Sequence, residues 1–139
     1  MDINYQKFLI ELGILPLDRK HRFTLTHFGN QADAMADNLI HDLQHRIGPQ
    51  VGGVYLYKVG RRCLYVGKSI NIAQRVGTHN QRAFQPDPHS DRYGVHHAFW
   101  AANVGRLTVN WISLEQEIDR QIVEMMLTKE LRPIFEFPI

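Results

Sequence analysis

Two arginines and a histidine recur at helical spacing near the middle of the chain. Arg75, His79 and Arg82 stand at positions i, i+4 and i+7, so they share one stripe of a helix. A guanidinium held on a rigid element can bind a phosphate through two parallel N–H bonds. The same three residues also suit an ordinary solvated helix face, and the spacing by itself allows both interpretations.

Three tyrosines precede that stripe. Tyr55 and Tyr57 are two positions apart and would share one face of a strand, and Tyr65 lies on the next apolar segment. Strand tyrosines most often pack in a core. A phenol hydroxyl can also contact a reacting water or a phosphate, but free tyrosine titrates at about pH 10, so it would need a cation or a metal to act as a base.

One carboxylate, Glu124, lies in the most regular helical pattern of the chain. A helical wheel assigns Ile118, Ile122, Met125 and Met126 to the core face of that pattern, and Val123 and Leu127 widen this face. The wheel puts Glu124 on the polar side with Arg120 and Thr128, where a glutamate is usually a surface residue. A single carboxylate can still hold Mg²⁺ when waters and a substrate phosphate fill the other positions.

A second group of metal-ligand residue types lies between positions 84 and 97. It consists of Asp87, His89, Asp91, His96 and His97. Their spacing fits no recognised ligand pattern. The segment is rich in Pro, Asp, His and Gly and is predicted to be a loop, so we interpret these side chains as solvated.

The charges are unevenly distributed along the chain. No Asp or Glu occurs between Asp42 and Asp87, a stretch that carries seven Lys or Arg residues, whereas residues 115–136 contain six acids. A basic block interleaved with tyrosines suits a polyanion. The alternative is a solvated face whose charge is balanced by acids elsewhere.

The elements that must position these side chains follow from periodicity. Apolar residues at helical spacing predict helices over 2–12, 31–47, 70–81 and 115–131. Alternation and turn residues predict strands over 22–28, 54–59, 63–66 and 107–112. Ser69 is placed to cap the third helix. The order after residue 50 is β-β-α-β-α, an α/β (α+β) fold with a small three-stranded sheet that needs helices packed on it.

Composition sets further bounds on the class of protein. The chain has 139 residues, 44% of them hydrophobic and 22% charged, which predicts one compact domain with its own core. The single cysteine, Cys63, excludes an internal disulfide framework and a cysteine-rich zinc site, and it is predicted to be a buried thiol. No apolar run approaches the roughly 20 residues of a membrane span, and we expect a cytoplasmic protein.

The motifs around the tyrosines resemble a known family. Gly53–Tyr55, followed by Tyr65–Gly67, is similar to the signature of the GIY-YIG nuclease superfamily. The resemblance continues at the family's spacings through Lys68, Asn71, Arg75 and His79. It ends with Glu124 in the last helix and a proline nine residues later, so it covers about residues 53–136.

The resemblance implies a small central antiparallel three-stranded sheet flanked by helices, in a nuclease domain of residues 51–139 behind a mostly helical N-terminal extension of residues 1–50. It implies a divalent-metal-dependent endonuclease that hydrolyses DNA phosphodiesters with one cation, Mg²⁺ or alternatively Mn²⁺. Glu124 would ligate the metal and Arg75 would bind the scissile phosphate. Tyr55 would be the base or would position the water, assisted by Tyr65 and His79. The predicted substrate contacts are Lys68, Asn71, Arg82, Arg61 and Arg62.

Three departures from the family pattern accompany the resemblance, and one is that the first 50 residues lie outside the match. Glu136 stands where many members carry Asn, and residues 84–97 have no counterpart. A catalytically inactive nucleic-acid-binding module with the same fold is the alternative function, and a structural domain with a solvated basic face is a third. RNA stays open beside DNA as the substrate, no membrane partner is expected, and the N-terminal extension offers a surface for a homodimer.

Overall fold

The structure is a computed structural model that describes residues 3–17, 22–28, 38–82, 98–99, 102 and 105–134; for 22–28, 38–39, 81–82 and 105–106 it describes the backbone alone. The elements in these ranges are α1 (Tyr5–Glu11), β1 (Arg22–Phe28), α2 (Asn38–Arg46), β2 (Gly53–Val59), β3 (Arg62–Ser69), α3 (Ile72–Arg82), β4 (Gly105–Ser113) and α4 (Glu117–Leu131). Among the helices in these ranges, none combines the length and apolar character that crossing a bilayer requires.

The predicted strands are all present, and the order β-β-α-β-α from β2 onward is confirmed. Residues 84–97, predicted to be a loop, lie outside the described ranges, as do positions 31–37 of the second predicted helix. The cap of α3 differs from the prediction. Asn71 Oδ1 accepts from the Gln74 amide at 3.2 Å, whereas the Ser69 hydroxyl accepts from the Asn71 amide at 3.0 Å and so shapes the turn before the helix.

The described strands form one antiparallel sheet in the order β1-β4-β2-β3. The predicted three-stranded core corresponds to β4-β2-β3, and β1 adds a fourth strand by pairing with β4. In the β2–β3 pair, Tyr57 lies opposite Tyr65 and Tyr55 lies opposite Gly67. The N-terminal segment therefore extends the sheet, and β3 is left as an outer strand.

Side chains alternate across the sheet and form a core on each face. Tyr55, Tyr57, Val109 and Trp111 are in one buried cluster with residues of α2 and α3. Val54, Leu56 and Val66 are in the other with residues of α1 and α4. Cys63 belongs to the second cluster, so its predicted burial is confirmed.

The N-terminal helices pack on the rest of the fold. In α1, Leu9 is fully buried in the cluster that contains α4 residues, and α1 contacts α4 directly. In α2, Leu43 is 1% exposed, and α2 packs against α3. Residues 1–50 thus supply buried apolar surface to both cores. The division of the chain at residue 50 stays a prediction.

The predicted core face of α4 is correct only in part. Ile118, Ile122 and Met125 are 60%, 47% and 61% exposed, whereas Val123, Met126 and Leu127 of the predicted set pack on the core. The buried residues are Arg120, Val123 and Leu127. Apolar residues surround most of this helix, so the wheel lacked a clear polar side. Arg120 can be buried because its guanidinium finds backbone and side-chain oxygens.

Candidate active site

The candidate site lies where β3 approaches its C-terminal end, and Gly67 leaves the room for it. A Cβ atom on Gly67 would lie 2.5 Å from the Tyr55 hydroxyl oxygen and 2.8 Å from Cε1 of Tyr65. Gly67 is the residue opposite Tyr55 in the register. The Tyr55 ring therefore lies across the backbone of the outer strand, which directs its hydroxyl towards the edge of the sheet.

The Tyr55 hydroxyl is hydrogen-bonded to a histidine of α3. Its oxygen lies 2.8 Å from Nε2 of His79, and the two residues are 0% and 2% exposed. Tyr65 also hydrogen-bonds to Tyr55, and its ring centroid is 5.7 Å from that of His79. Two strands and one helix thus bring together three of the predicted site residues in a single cluster. His79 lies inside the fold, deeper than its predicted place at the border of the helix face.

The phenols of this cluster are held neutral. Burial raises the pKa of Tyr55 and of Tyr57 well above 10.0, and the neighbouring phenol of Tyr65 acts in the same direction. Burial also raises the pKa of Tyr65, which is only half-buried. Tyr55, the predicted base, has no exposed surface, so Tyr65 is the phenol of the hydrogen-bonded pair that keeps contact with solvent.

Arg75 supplies a cation beside these phenols. It is exposed on α3, one turn before His79. Its charge lowers the pKa of Tyr55, Tyr57 and Tyr65, and its side chain hydrogen-bonds to Tyr55, although burial outweighs these effects. The guanidinium therefore lies at the border between the phenol cluster and solvent, as the helical stripe predicts.

Glu124 of α4 faces the same edge of the sheet from the other side. It is half-buried, and burial raises the pKa of its carboxyl above the usual 4.5. The charge of Glu124 in turn raises the pKa of Tyr65, so the two groups are within electrostatic reach. Contrary to the wheel, Glu124 borders the buried face formed by Arg120, Val123 and Leu127.

The surroundings of Glu124 suit a hard divalent cation. Within the described ranges, no hydrogen bond or ion pair satisfies this half-buried carboxylate. A partly desolvated carboxylate without such a partner gains from a cation. Mg²⁺ is commonly bound by one or two carboxylates with waters and substrate phosphates, whereas structural Zn²⁺ takes four protein ligands. In the described part of the chain, no three His, Cys, Asp or Glu residues converge on one point.

Lys68 directly follows Gly67 in β3 and reaches the site. Sequence reasoning missed its partner. Lys68 Nζ lies 2.5 Å from Oε1 of Glu117, and Glu117 Oε2 accepts from Arg120 Nε at 3.1 Å. Glu117, Arg120 and Glu124 stand at i, i+3 and i+7 on α4. That spacing was the available signal, and the incorrect wheel obscured it.

The other predicted contacts are dispersed. Asn71 caps α3 with its side-chain oxygen, which gives it a structural role. Arg61 and Arg62 are exposed at the hairpin turn. Arg62 and Lys68 are at opposite ends of β3, about 20 Å apart at the usual rise of a strand. The side chain of Arg82 and all of Glu136, like the loop acids and histidines, lie outside the described residues.

Comparisons with known proteins find similarity in structure alone. No family model matches the chain, and no curated protein matches its sequence. One similar solved structure is the GIY-YIG N-terminal endonuclease domain of UvrC from Thermotoga maritima bound to its catalytic divalent cation, magnesium. It is 18% identical, with 74% of this chain and 100% of that chain covered and a TM-score of 0.48. A tyrosine-to-phenylalanine variant of that domain is 18% identical over 75% of this chain and 100% of its own, with a TM-score of 0.48. The family named for these structures is the one the motifs resemble, and the likeness concerns the fold alone.

Proposed function

We propose that this chain is a divalent-metal-dependent endonuclease that hydrolyses phosphodiester bonds in DNA. The observation that carries the proposal is the meeting of three kinds of group at one edge of the sheet. These are the Tyr55 phenol hydrogen-bonded to His79 with Tyr65 beside it, the guanidinium of Arg75 and the half-buried carboxylate of Glu124. Nucleic-acid binding alone would use the cation but would gain nothing from a carboxylate that repels phosphate.

Arg75 is the residue suited to the scissile phosphate. Its guanidinium is exposed and adjoins Tyr55, so it can offer two parallel N–H donors to phosphate oxygens. As the transition state forms, negative charge grows on those oxygens, and a fixed guanidinium stabilises it without reorganising. Lys68 adds a second cation on the α4 side of the strand.

The two tyrosines and His79 form a path for the proton of the attacking water. We assign the water contact to Tyr65, because it keeps solvent exposure, and the relay to Tyr55, which is fully buried. As the water oxygen bonds to phosphorus, its proton passes to Tyr65, the Tyr65 proton to Tyr55, and the Tyr55 proton to Nε2 of His79. The bond from phosphorus to the leaving oxygen breaks in the same displacement, and that oxygen departs with the electron pair and takes a proton from solvent.

This path accounts for phenols with raised pKa values. A stable phenolate is disfavoured by burial at Tyr55 and Tyr65, so neither residue suits the role of a standing base. In a relay the transferred proton, with its positive charge, ends on an imidazole. An imidazole accepts a proton near neutral pH, whereas a phenol loses one only at about pH 10. It requires His79 to carry its resting proton on Nδ1, so that Nε2 can accept from Tyr55.

Glu124 is the residue proposed to hold the metal. Mg²⁺ at this carboxylate would act as a Lewis acid and neutralise charge on the phosphate. The protein's own contribution is a carboxylate that burial has already stripped of part of its water. Its position within electrostatic reach of Tyr65 puts the ligand close to the predicted site of the water.

Cleavage of labelled nucleic acids tests the proposal. Single-stranded, duplex and branched DNA and a matched RNA would be incubated with Mg²⁺ and, separately, with chelator. The expected result is cleavage of at least one DNA in Mg²⁺ alone, lost in Arg75→Ala and in Glu124→Gln. DNA binding without cleavage of any substrate would support the inactive binding module, and cleavage that persists in chelator would contradict the metal-dependent mechanism.

A further inference from the structure

A chain of charged side chains borders the site, and the proposed reaction leaves its middle member without a role. The two carboxylate oxygens of Glu117 are shared between two cations. Oε1 lies 2.5 Å from Lys68 Nζ, and Oε2 lies 3.1 Å from Arg120 Nε. Glu117 therefore connects the first turn of α4 to the end of β3.

The far end of this chain is fixed to the backbone. Arg120 is buried, and its Nη1 donates to the carbonyl oxygens of Leu114 at 2.8 Å and Glu115 at 2.9 Å. A Cβ atom on Gly52 would lie 2.9 Å from the same Nη1, so the guanidinium fits into the space that this glycine leaves. Arg120 thus offers Glu117 a fixed donor.

Lys68 depends on such a partner for a defined position. A lysine ammonium is carried on a flexible four-carbon stem, and much rotamer freedom must be lost to hold it in one place. Lys68 follows Gly67 in β3, and its charge lowers the pKa of Glu124 while the charge of Glu117 raises it. Both side chains therefore lie close to the carboxylate proposed to hold the metal.

We propose that Glu117 is a positioning residue that holds the Lys68 ammonium beside the substrate phosphate, with Arg120 as its anchor. The inference rests on the proposed nuclease function. An ammonium has three N–H donors, so Lys68 can keep its contact with Glu117 and still donate to a phosphate oxygen. An exposed ion pair adds little to stability, so the contact acts through the placement of the cation and not through the fold.

A double-mutant cycle between Glu117→Gln and Lys68→Met tests the placement, with single-turnover cleavage in Mg²⁺ as the measurement. Each single variant is expected to lose about tenfold in rate because a charge-stabilising group is misplaced or absent. The double variant should be no slower than Lys68→Met. Asp119→Asn removes the same charge from the same turn of α4 and should cut at a normal rate. Independent, multiplying losses, or faster cleavage by Glu117→Gln, would overturn the proposal.

A second measurement needs neither DNA nor metal. An amine-reactive reagent would label the folded chain, and Lys68 would be quantified by peptide mass spectrometry against Lys58 and Lys129. An ammonium in contact with a carboxylate must leave it before reacting, so Glu117→Gln should raise labelling of Lys68 about twofold to fivefold. Unchanged labelling would contradict the proposal that Glu117 holds the Lys68 ammonium, even if the protein cuts DNA. Raised labelling of Lys68 in Glu117→Gln, combined with a wild-type protein that cuts no substrate, would overturn the nuclease function and support the contact.

Discussion

The Tyr55 hydroxyl and Nε2 of His79 lie 2.8 Å apart, and both residues are withdrawn from solvent. The pair joins the central strand β2 to helix α3. Removal of one buried hydrogen-bonding partner typically costs about 1–3 kcal/mol, because the other group loses water as well as its partner. The same contact therefore serves the fold and the proposed proton path, and variants are needed that separate the two.

Substitution of each of the two tyrosines by phenylalanine separates the contribution to the fold from the contribution to the proton path. Tyr65→Phe removes the half-buried hydroxyl and should lower the cleavage rate on the order of 10²-fold with little change in Tm. Tyr55→Phe should lower the rate similarly and also destabilise the fold by about 1–2 kcal/mol, since His79 loses its buried partner. Single-turnover rates and thermal melts distinguish them. Normal cleavage by Tyr65→Phe would rule out its contact with the water.

A methyl group at Gly67 should disturb the same cluster from the strand side. In Gly67→Ala the added carbon would lie 2.5 Å from the Tyr55 oxygen, so the ring or the outer strand must move. Overpacking of this kind usually costs about 1–3 kcal/mol. We expect a lower Tm and at least about a tenfold loss of rate, because catalytic geometry tolerates little displacement. DNA affinity measured in chelator should stay near normal; a large loss of affinity with unchanged rate would contradict this placement of the site.

The local part of this architecture could be predicted from the sequence. Alternation located the strands, and the helical stripe brought Arg75 and His79 to one side of α3, because both patterns depend on near neighbours. The pairing of β1 with β4 joins segments about 80 residues apart, and no local pattern carries that information. The motif resemblance, in contrast, named Tyr55, Tyr65, Arg75 and His79 as site residues, and their catalytic roles stay predictions.

The last helix illustrates why the remainder could not be predicted. Its buried face includes Arg120, which is satisfied by the carbonyls of Leu114 and Glu115 and by Glu117. A hydrophobicity wheel treats arginine as solvent-facing, so it left Val123 and Leu127 at the margin of the core face and placed Glu124 with Arg120 on the polar side. Likewise, the Lys68–Glu117 contact spans 49 positions and depends on how α4 lies against β3.

Arg61 and Arg62 provide a test that separates binding from chemistry. Both are exposed at the hairpin turn, about 20 Å from Lys68 along the outer strand. If they contact phosphates, replacing both with Ala should weaken DNA binding and reduce the salt dependence of log K by about 0.7–0.9 per lost contact. The rate at saturating DNA should stay the same. Arg75→Ala is the contrasting variant, with a rate loss on the order of 10². An unchanged salt dependence in the double variant would show that the hairpin turn does not contact DNA.

Glu124→Gln tests the metal ligand through stability as well as through activity. Burial raises the pKa of the folded-state carboxyl above 4.5. Such a group contributes stability while it is protonated, and that contribution is lost as pH rises through the folded-state pKa. In chelator at neutral pH, the ionised carboxylate therefore destabilises the folded protein. Gln carries no charge, so the variant should melt slightly higher than wild type. Below pH 4.5 the difference should disappear.

Mg²⁺ should reverse that order of stability. A cation that binds only the folded protein raises its Tm, so wild type should gain stability on titration with Mg²⁺ whereas Glu124→Gln should not. Gln keeps one oxygen but loses the charge that a hard cation requires, so cleavage should fall by more than about 10²-fold. Glu115→Gln, an exposed change just before α4, is the matched control and should respond to Mg²⁺ like wild type. A Glu124→Gln protein that still cuts, or that is still stabilised by Mg²⁺, would show that another group holds the metal.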